Sequence, residues 1–414
     1  MDERVVIVGA GHAGFHCAAA LRRLGSTRPV LLIGAEEVPP YDRPPLSKAF
    51  LKGALAEERL ALRPAGFYAE RGIDLILGRT VVAIAPAAHR IRLADGEEIT
   101  YGTLVLATGA RPRRLPEELV ALEHGGAERL LDLRTLADAR RLKTRLAEAG
   151  SLLVIGGGYI GLEVASAARE LGLAVTVIEA ADMLMPRLAS PPASDFFARR
   201  HAEAGVTIHL GARLVRVVCD ARGVAAELGD GTRLEAELAL VGIGAEPADD
   251  LARQAGIAAD DGVPVDARLR TDAPDVLAVG DVARLKTSRW GSLRLESIQN
   301  ATESAEVAAR VIAGDGEAAY DPVPWFWTEQ FGVRLQSVGL AAGAVRRILR
   351  GRPEDGAFSV LHLDADDRLL ALDSIVTARD FMQAKKLIAS GLRLDPARAG
   401  DPAVTLKDAV RSPA

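Results

Sequence analysis

Cysteine is nearly absent: 414 residues contain two, Cys17 and Cys219, far apart and in no CxxC or CxxxxC pair. That excludes a disulfide framework and a cysteine-rich metal site, and Cys17 reads as a small buried hydrophobe inside a helix. The seven histidines form no HExxH string and no cluster at ligand spacing, so no metal is expected. Neither charge sign is in large excess. With 51 Lys and Arg against 56 Asp and Glu the net charge is −5, which leaves no general footprint for nucleic acid. No apolar run approaches the roughly 20 residues needed to cross a bilayer, so no membrane association is expected. The chain opens directly on an apolar strand, Val5-Val6-Ile7-Val8, without the pattern of a signal peptide, and the expected compartment is the cytoplasm.

The chain does contain one dinucleotide-binding pattern twice. Gly9-Ala10-Gly11-His12-Ala13-Gly14 follows Val5 to Val8 and opens the helical stretch Phe15 to Leu24. Gly156-Gly157-Gly158-Tyr159-Ile160-Gly161 follows Leu152-Leu153-Val154-Ile155 and opens Leu162 to Leu171. A lone GxGxxG is weak, but here each copy has a buried strand before it and a helix after it. The first glycine makes the tight turn, the second lets the backbone approach phosphate, and the third lets helix pack on strand. The helix N-terminus then stabilises the pyrophosphate charge. Each copy continues into a second strand with an acid near its end, Glu36 in the first and Glu179 in the second, suited to a ribose diol.

The parallel runs further. Asp95-Gly96 and Asp230-Gly231 each sit between short alternating runs, the signal of a tight hairpin. Each hairpin leads to an apolar strand ending in glycine, Thr103 to Gly109 and Leu238 to Gly244. Two pyrophosphate sites on one chain suggest two dinucleotides held together so that electrons pass between them. After Asp281 the pattern changes. Gln299 to Ile312 reads as a helix, and a Gly/Pro-bearing linker leads to Trp325-Phe326-Trp327. Val333 to Leu340, Phe358 to Leu363 and Leu369 to Val376 read as strands, and Ala378 to Ser390 as an amphipathic helix. The basic run Arg346 to Arg352 reads as a solvated face.

Across its whole length the chain resembles the FAD- and NADH-dependent ferredoxin reductases of bacterial oxygenase systems. The strings that carry the resemblance are Pro40-Tyr41-Asp42-Arg43-Pro44-Pro45-Leu46-Ser47-Lys48, Ala107-Thr108-Gly109-Ala110-Arg111-Pro112, Gly156 to Glu163, Val279-Gly280-Asp281-Val282, Pro324-Trp325-Phe326-Trp327 and Ala378-Arg379-Asp380-Phe381. The resemblance implies an α/β, glutathione-reductase-like fold: two Rossmann-type dinucleotide-binding domains plus a C-terminal α+β domain. The FAD-binding domain would be discontinuous, residues 1–112 and 246–320, with NADH binding at 113–245 and the C-terminal domain at 321–414.

It further implies FAD contacts at Gly9, Gly11, Gly14, Glu36, Arg43, Lys48, Ala107, Thr108, Gly109, Arg111, Asp281, Ile298 and Trp327. NADH would be held by Gly156, Gly158, Tyr159, Ile160, Gly161, Glu179 and Gly244. Asp281 is expected on the ribityl chain of the flavin, and Lys48 beside its ring system, paired with Glu163 to orient the nicotinamide. The helix opening near Ile298-Gln299-Asn300 is the expected stabiliser of charge on the reduced flavin. Ile298 departs from relatives that carry an aromatic there. Gly34-Ala35 precedes Glu36, a departure that bears on the first ribose contact. Glu179, with no arginine in Ala180-Ala181-Asp182, favours NADH over NADPH.

With no cysteine pair to receive electrons from the flavin, the expected acceptor is an outside one-electron carrier, an acidic [2Fe–2S] ferredoxin feeding a cytochrome P450 or a Rieske oxygenase. Arg289, Arg294, Arg334, Arg346, Arg347, Lys385 and Lys386 are the basic residues expected to meet it. The enzymatic alternatives are a rubredoxin reductase and an oxygen-reducing NADH oxidase. From another class comes an NADH-responsive flavoprotein resembling apoptosis-inducing factor. The expected assembly is a monomer or homodimer.

Overall fold

A computed structural model describes residues 3–123 and 125–411. Val5–Val8, Val30–Ile33, Ile73–Ile76, Thr103–Leu106 and Val276–Ala278 form a five-stranded sheet with Val5–Val8 at its centre. All its pairings are parallel, and Val5 lies opposite both Val30 and Thr103. The three central strands are wholly buried, which is why they read as unbroken apolar runs instead of alternating ones. Helices His12–Arg23 and Ile298–Ile312 pack on each other, with Cys17, Leu21, Ala305 and Ala308 in the same core.

The second parallel sheet repeats this plan. Its order is Leu130–Leu131, Leu238–Val241, Ser151–Ile155, Ala174–Ile178, Val206–His209. The last four strands match the first sheet place for place. The copies differ at one edge, where the first takes its fifth strand from late in the chain and the second takes it from just before its own start. Each copy also carries an antiparallel meander whose hairpin turns at the aspartyl-glycine pair, with φ +92° at Gly96 and +85° at Gly231. Only glycine adopts such a φ without strain.

The third sheet is antiparallel, in the order Trp325–Gln330, Val333–Gly339, Leu369–Ile375, Ala357–Leu363, Arg346–Arg352. Helix Ala378–Ser390 covers it. Two of these strands depart from the sequence expectation. Trp325–Gln330 is a full strand, and the basic run Arg346–Arg352 is an edge strand whose Arg346, Arg347 and Arg352 are exposed, as a solvated face requires, while Arg350 departs from that reading by turning inward. Within that run Arg350 is buried. Its guanidinium donates to Asp380 at 2.8 Å and to the carbonyls of Ala399 (3.2 Å), Asp401 and Val404 (2.8 Å). One inward arginine therefore ties the C-terminal tail to the sheet.

The chain falls into two compact units. The first holds the chain up to Asp42, Glu57–Arg111 and Ala245–Pro324; the second holds Arg43–Ala56, Pro112–Gly244 and everything from Trp325. The second parallel sheet and the antiparallel sheet thus share a unit with the Pro-rich segment. No described helix is long and apolar enough to cross a membrane.

Candidate functional site

In the first unit the glycine loop closes against the end of strand Thr103–Leu106. A Cβ on Gly9 would collide with the Ala107 carbonyl, and one on Gly14 with the Gly9 carbonyl. Gly11 is the N-cap of helix His12–Arg23 and offers no side-chain acceptor to the free amides behind it. Gly280 sits against the same helix, where a Cβ would come 2.8 Å from Ala13 Cβ, so Asp281 is delivered to the neighbourhood of the loop. Glu36 accepts a hydrogen bond from the Tyr41 hydroxyl at 2.8 Å, and the Thr108 hydroxyl donates to the Ala248 carbonyl at 2.7 Å. Arg111 is engaged by Glu246 at 2.6 Å and by Asp250, a double pairing that raises its already high pKa. Ile298 is the first residue of helix Ile298–Ile312, whose amide at Asn300 is capped by the Ser297 hydroxyl.

The second unit repeats the cradle. Cβ atoms on Gly156 and Gly161 would press into the carbonyls of Gly242 and Gly156, while one on Gly158 would meet nothing nearer than 3.8 Å. Helix Tyr159–Glu170 also begins on an uncapped glycine, Gly158. Helix Leu136–Glu148 in the same unit is closed by a full capping box from Thr135 and Asp138. Both glycine loops therefore present free amide ends; helices Pro191–Glu203 and Ala378–Ser390 also lack a side-chain cap, but neither follows a glycine loop. Both cradles fit a dinucleotide pyrophosphate, since close backbone approach and unsatisfied N–H groups are what that group requires. Glu179 accepts from the Gly157 amide at 2.7 Å and the Ala181 amide at 2.8 Å, holding its carboxylate at the loop. The Tyr159 ring packs on Phe326 at 4.3 Å, burial raises its phenol pKa strongly, and Ile160 is exposed.

The Pro-rich segment enters this unit as a short 3-10 turn, Pro44–Ser47, with prolines in its first positions. It presents Lys48 to Glu163 on helix Tyr159–Glu170, at 2.6 Å; the Glu163 side chain is 5% exposed and the Lys48 side chain 22%. Arg43 donates to the Arg134 carbonyl at 2.6 Å. Trp327 lies half-buried on strand Trp325–Gln330, its ring 5.7 Å from that of Trp325.

Two residues touching Glu163 were not singled out by sequence. The Ser47 hydroxyl donates to its Oε2 at 2.5 Å and the Thr328 hydroxyl to its Oε1 at 2.7 Å. No local sequence signal marks Thr328: only the structure shows that it shares the buried face of its strand with Gln330, where each polar group needs an internal partner.

Both cysteines are buried and free; burial pushes the Cys17 thiol up to about 12 and the Cys219 thiol up to about 11. Neither is poised as a thiolate at neutral pH. No cluster of His, Cys, Asp or Glu among the described residues could hold a metal ion. Three of the seven basic residues expected to face a partner are engaged in ion pairs. The Arg294 side chain, 7% exposed, lies between Asp261 (3.2 Å) and Glu296 (2.7 Å), Arg334 pairs with Glu329 at 3.1 Å, and Arg346 with Asp367 at 2.5 Å.

The pyridine nucleotide-disulphide oxidoreductase family model matches residues 3–305, and a reductase C-terminal model matches 325–410. The chain is 40% identical over 408 residues to rhodocoxin reductase of Rhodococcus erythropolis, covering 98% of this chain and 94% of that one. It is equally 40% identical over 418 residues to putidaredoxin reductase of Pseudomonas putida, covering 99% and 97%. The chain belongs to the ferredoxin reductases of this family. Among solved structures, the reductase superposes with a TM-score of 0.92 on putidaredoxin reductase in its covalent complex with putidaredoxin, at 39% identity and 98% coverage of both chains. The ferredoxin reductase of the CYP199A2 system from Rhodopseudomonas palustris gives 0.93 at 37% identity, covering 99% of this chain and 100% of that one. The reductase is accordingly a glutathione-reductase-like oxidoreductase that uses FAD and a nicotinamide dinucleotide.

Proposed function

We propose that this reductase takes electrons from NADH and passes them singly to a [2Fe–2S] ferredoxin serving a cytochrome P450 or Rieske-type oxygenase in the cytoplasm. The observation that carries the reading is the pair of glycine cradles, each backed by an uncapped helix and each with an acid at the end of the next strand. The first cradle would hold FAD through Gly9, Gly11 and Gly14, with Asp281 beside it, and the second would hold NADH through Gly156, Gly158, Gly161 and Glu179. The division into an interrupted FAD domain, an NADH domain and a C-terminal domain follows from that assignment. FAD, when bound, supplies the chemistry of accepting a hydride and releasing electrons one at a time.

The protein's own residues position and neutralise. Glu163, buried on the helix that opens at the NADH cradle, pairs with the partly exposed Lys48, an arrangement suited to fixing the nicotinamide by charge and hydrogen bonds. The start of helix Ile298–Ile312 supplies a partial positive charge for an anion nearby. Glu179 would repel a 2′-phosphate, so NADH is the preferred donor. The ferredoxin is acidic, and the assembly is a monomer or homodimer.

The test is cytochrome c reduction by the FAD-loaded protein with NADH, with and without [2Fe–2S] ferredoxins. Strong ferredoxin-dependent stimulation is expected. Rapid oxygen consumption that no ferredoxin alters would make it an oxidase, and stimulation by rubredoxin alone would replace the acceptor.

A further inference from the structure

Glu163 is the end of a longer buried chain of hydrogen bonds, and the direction of every link can be worked out. Oε2 receives Lys48 Nζ at 2.6 Å and the Ser47 hydroxyl at 2.5 Å, and Oε1 receives the Thr328 hydroxyl at 2.7 Å. A carboxylate that takes three donors on its two oxygens is the ionised, acceptor-only form. Thr328 has then spent its one hydrogen, so its oxygen can only accept from Gln330 Nε2 at 3.2 Å. That fixes the amide: Gln330 Oε1 faces His201 Nε2, 2.8 Å away. His201 must therefore carry its proton on Nε2.

Its Nδ1 is buried and has no partner, as the lone pair of a neutral ring can be. Burial lowers the His201 pKa to about 4, which keeps the ring neutral at working pH. Thr328 and His201 are 0% exposed and Gln330 is 1% exposed, so water cannot reverse a link. The charged groups facing the Glu163 end are Lys48, Lys52, Glu170 and Glu329, which line one small cavity with it. At the far end His201 meets the Gln330 amide and the Phe331 ring at 4.8 Å.

We propose that Thr328 is a positioning residue for Glu163, its hydroxyl aimed by the one-way chain from His201 through Gln330. The proposal rests on the role given above to the Lys48–Glu163 pair. The chain fixes the plane of the carboxylate, and the carboxylate fixes Lys48. It spans two elements of distant sequence, helix Pro191–Glu203 and strand Trp325–Gln330, and so couples the C-terminal sheet to the nicotinamide side of the reaction.

The experiment uses the FAD-loaded full chain labelled with 15N-histidine. Long-range 15N–1H correlation reads the tautomer of His201, whose signals are assigned by their loss in His201→Gln. The expected result is a neutral ring protonated on Nε2 between pH 6 and 8. A proton on Nδ1 overturns the chain. Thr328→Val keeps the shape and removes the donor. It is expected to mix the His201 tautomers and slow flavin reduction by NADH about tenfold, the cost of one charge-assisted hydrogen bond. Thr328→Ser should restore both.

A valine variant with an unchanged tautomer and rate, or a serine variant as slow as valine, would make Thr328 a packing residue and overturn the proposal. If valine does not fold, the wild-type tautomer and the serine variant still decide. Should NADH fail to reduce the flavin of the wild type, the functional reading falls, while the tautomer still reports whether the chain exists.

Discussion

Gly158 and Gly161 lie three residues apart in one motif, yet alanine should act on them through different physics. Gly158 has φ −79° and ψ 179°, ordinary extended backbone, and a Cβ there would meet only the Gly242 carbonyl at 3.8 Å. Gly158→Ala should therefore leave the unfolding free energy unchanged or raise it by about 0.4–1 kcal/mol through the stiffer unfolded chain. If the pyrophosphate of NADH rests on the free amides of helix Tyr159–Glu170, the new methyl displaces it. Losing one charge-assisted hydrogen bond, about 1.5–3 kcal/mol, raises KM for NADH about 10- to 100-fold. Gly161→Ala does the reverse. Its Cβ would collide with the Gly156 carbonyl and lie 3.1 Å from Val154 Cγ1, costing about 1–3 kcal/mol of stability by overpacking. Urea unfolding and stopped-flow flavin reduction against NADH concentration separate the two. A Gly158→Ala protein with the wild-type KM for NADH would refute the assignment of the second cradle.

Three further predictions follow from other parts of the molecule. Replacing Glu179 with alanine or arginine should lower the ratio of kcat/KM for NADH over NADPH by about tenfold or more, because a fixed negative charge at the loop is removed; an unchanged ratio would count against it. Arg350→Met leaves Asp380 buried beside the Ser359 hydroxyl alone and three carbonyls short of a donor, so urea denaturation should register a loss of about 3–5 kcal/mol. A loss below about 1 kcal/mol would mean that Arg350 contributes no more than a surface ion pair. The third concerns pH. His201 and His16 both have folded pKa values lowered by burial to about 4, so the unfolded chain binds more protons below pH 6.5. Stability should therefore fall as pH drops from 6.5 towards 4, and His201→Gln should flatten that slope in thermal unfolding. A slope that the substitution leaves intact would assign the effect elsewhere.

Much of the fold was readable because its strands are buried on both faces. Val5–Val8 has no polar position to confuse the period and Ser151–Ile155 has only its first, and each is closed by a glycine loop whose steric needs are local. The Lys48–Glu163 pairing was legible only through resemblance, since residues over a hundred positions apart share no local signal. Strand Trp325–Gln330 escaped because aromatic residues at its start carry no strict alternation, and its inward face holds Thr328 and Gln330 where apolar residues would be expected. The inward turn of Arg350 within Arg346–Arg352 was hidden for a related reason. An edge strand can be basic outward, and one inward arginine satisfied by Asp380 and three carbonyls is indistinguishable, in sequence, from its exposed neighbours. Ion pairing is equally invisible in sequence: the Arg294 side chain lies between two acids, Asp261 far from it along the chain and Glu296 close to it.

The central claim is a conversion of one two-electron donor into two one-electron deliveries. Its most direct test is anaerobic: mix the FAD-loaded protein with one equivalent of NADH, then with excess oxidised [2Fe–2S] ferredoxin, and follow both chromophores by stopped flow. The account predicts rapid reduction of the flavin, followed by two reduced ferredoxins per NADH as it reoxidises. A flavin that stays reduced before every [2Fe–2S] ferredoxin offered, and is reoxidised only when oxygen is admitted, would contradict it.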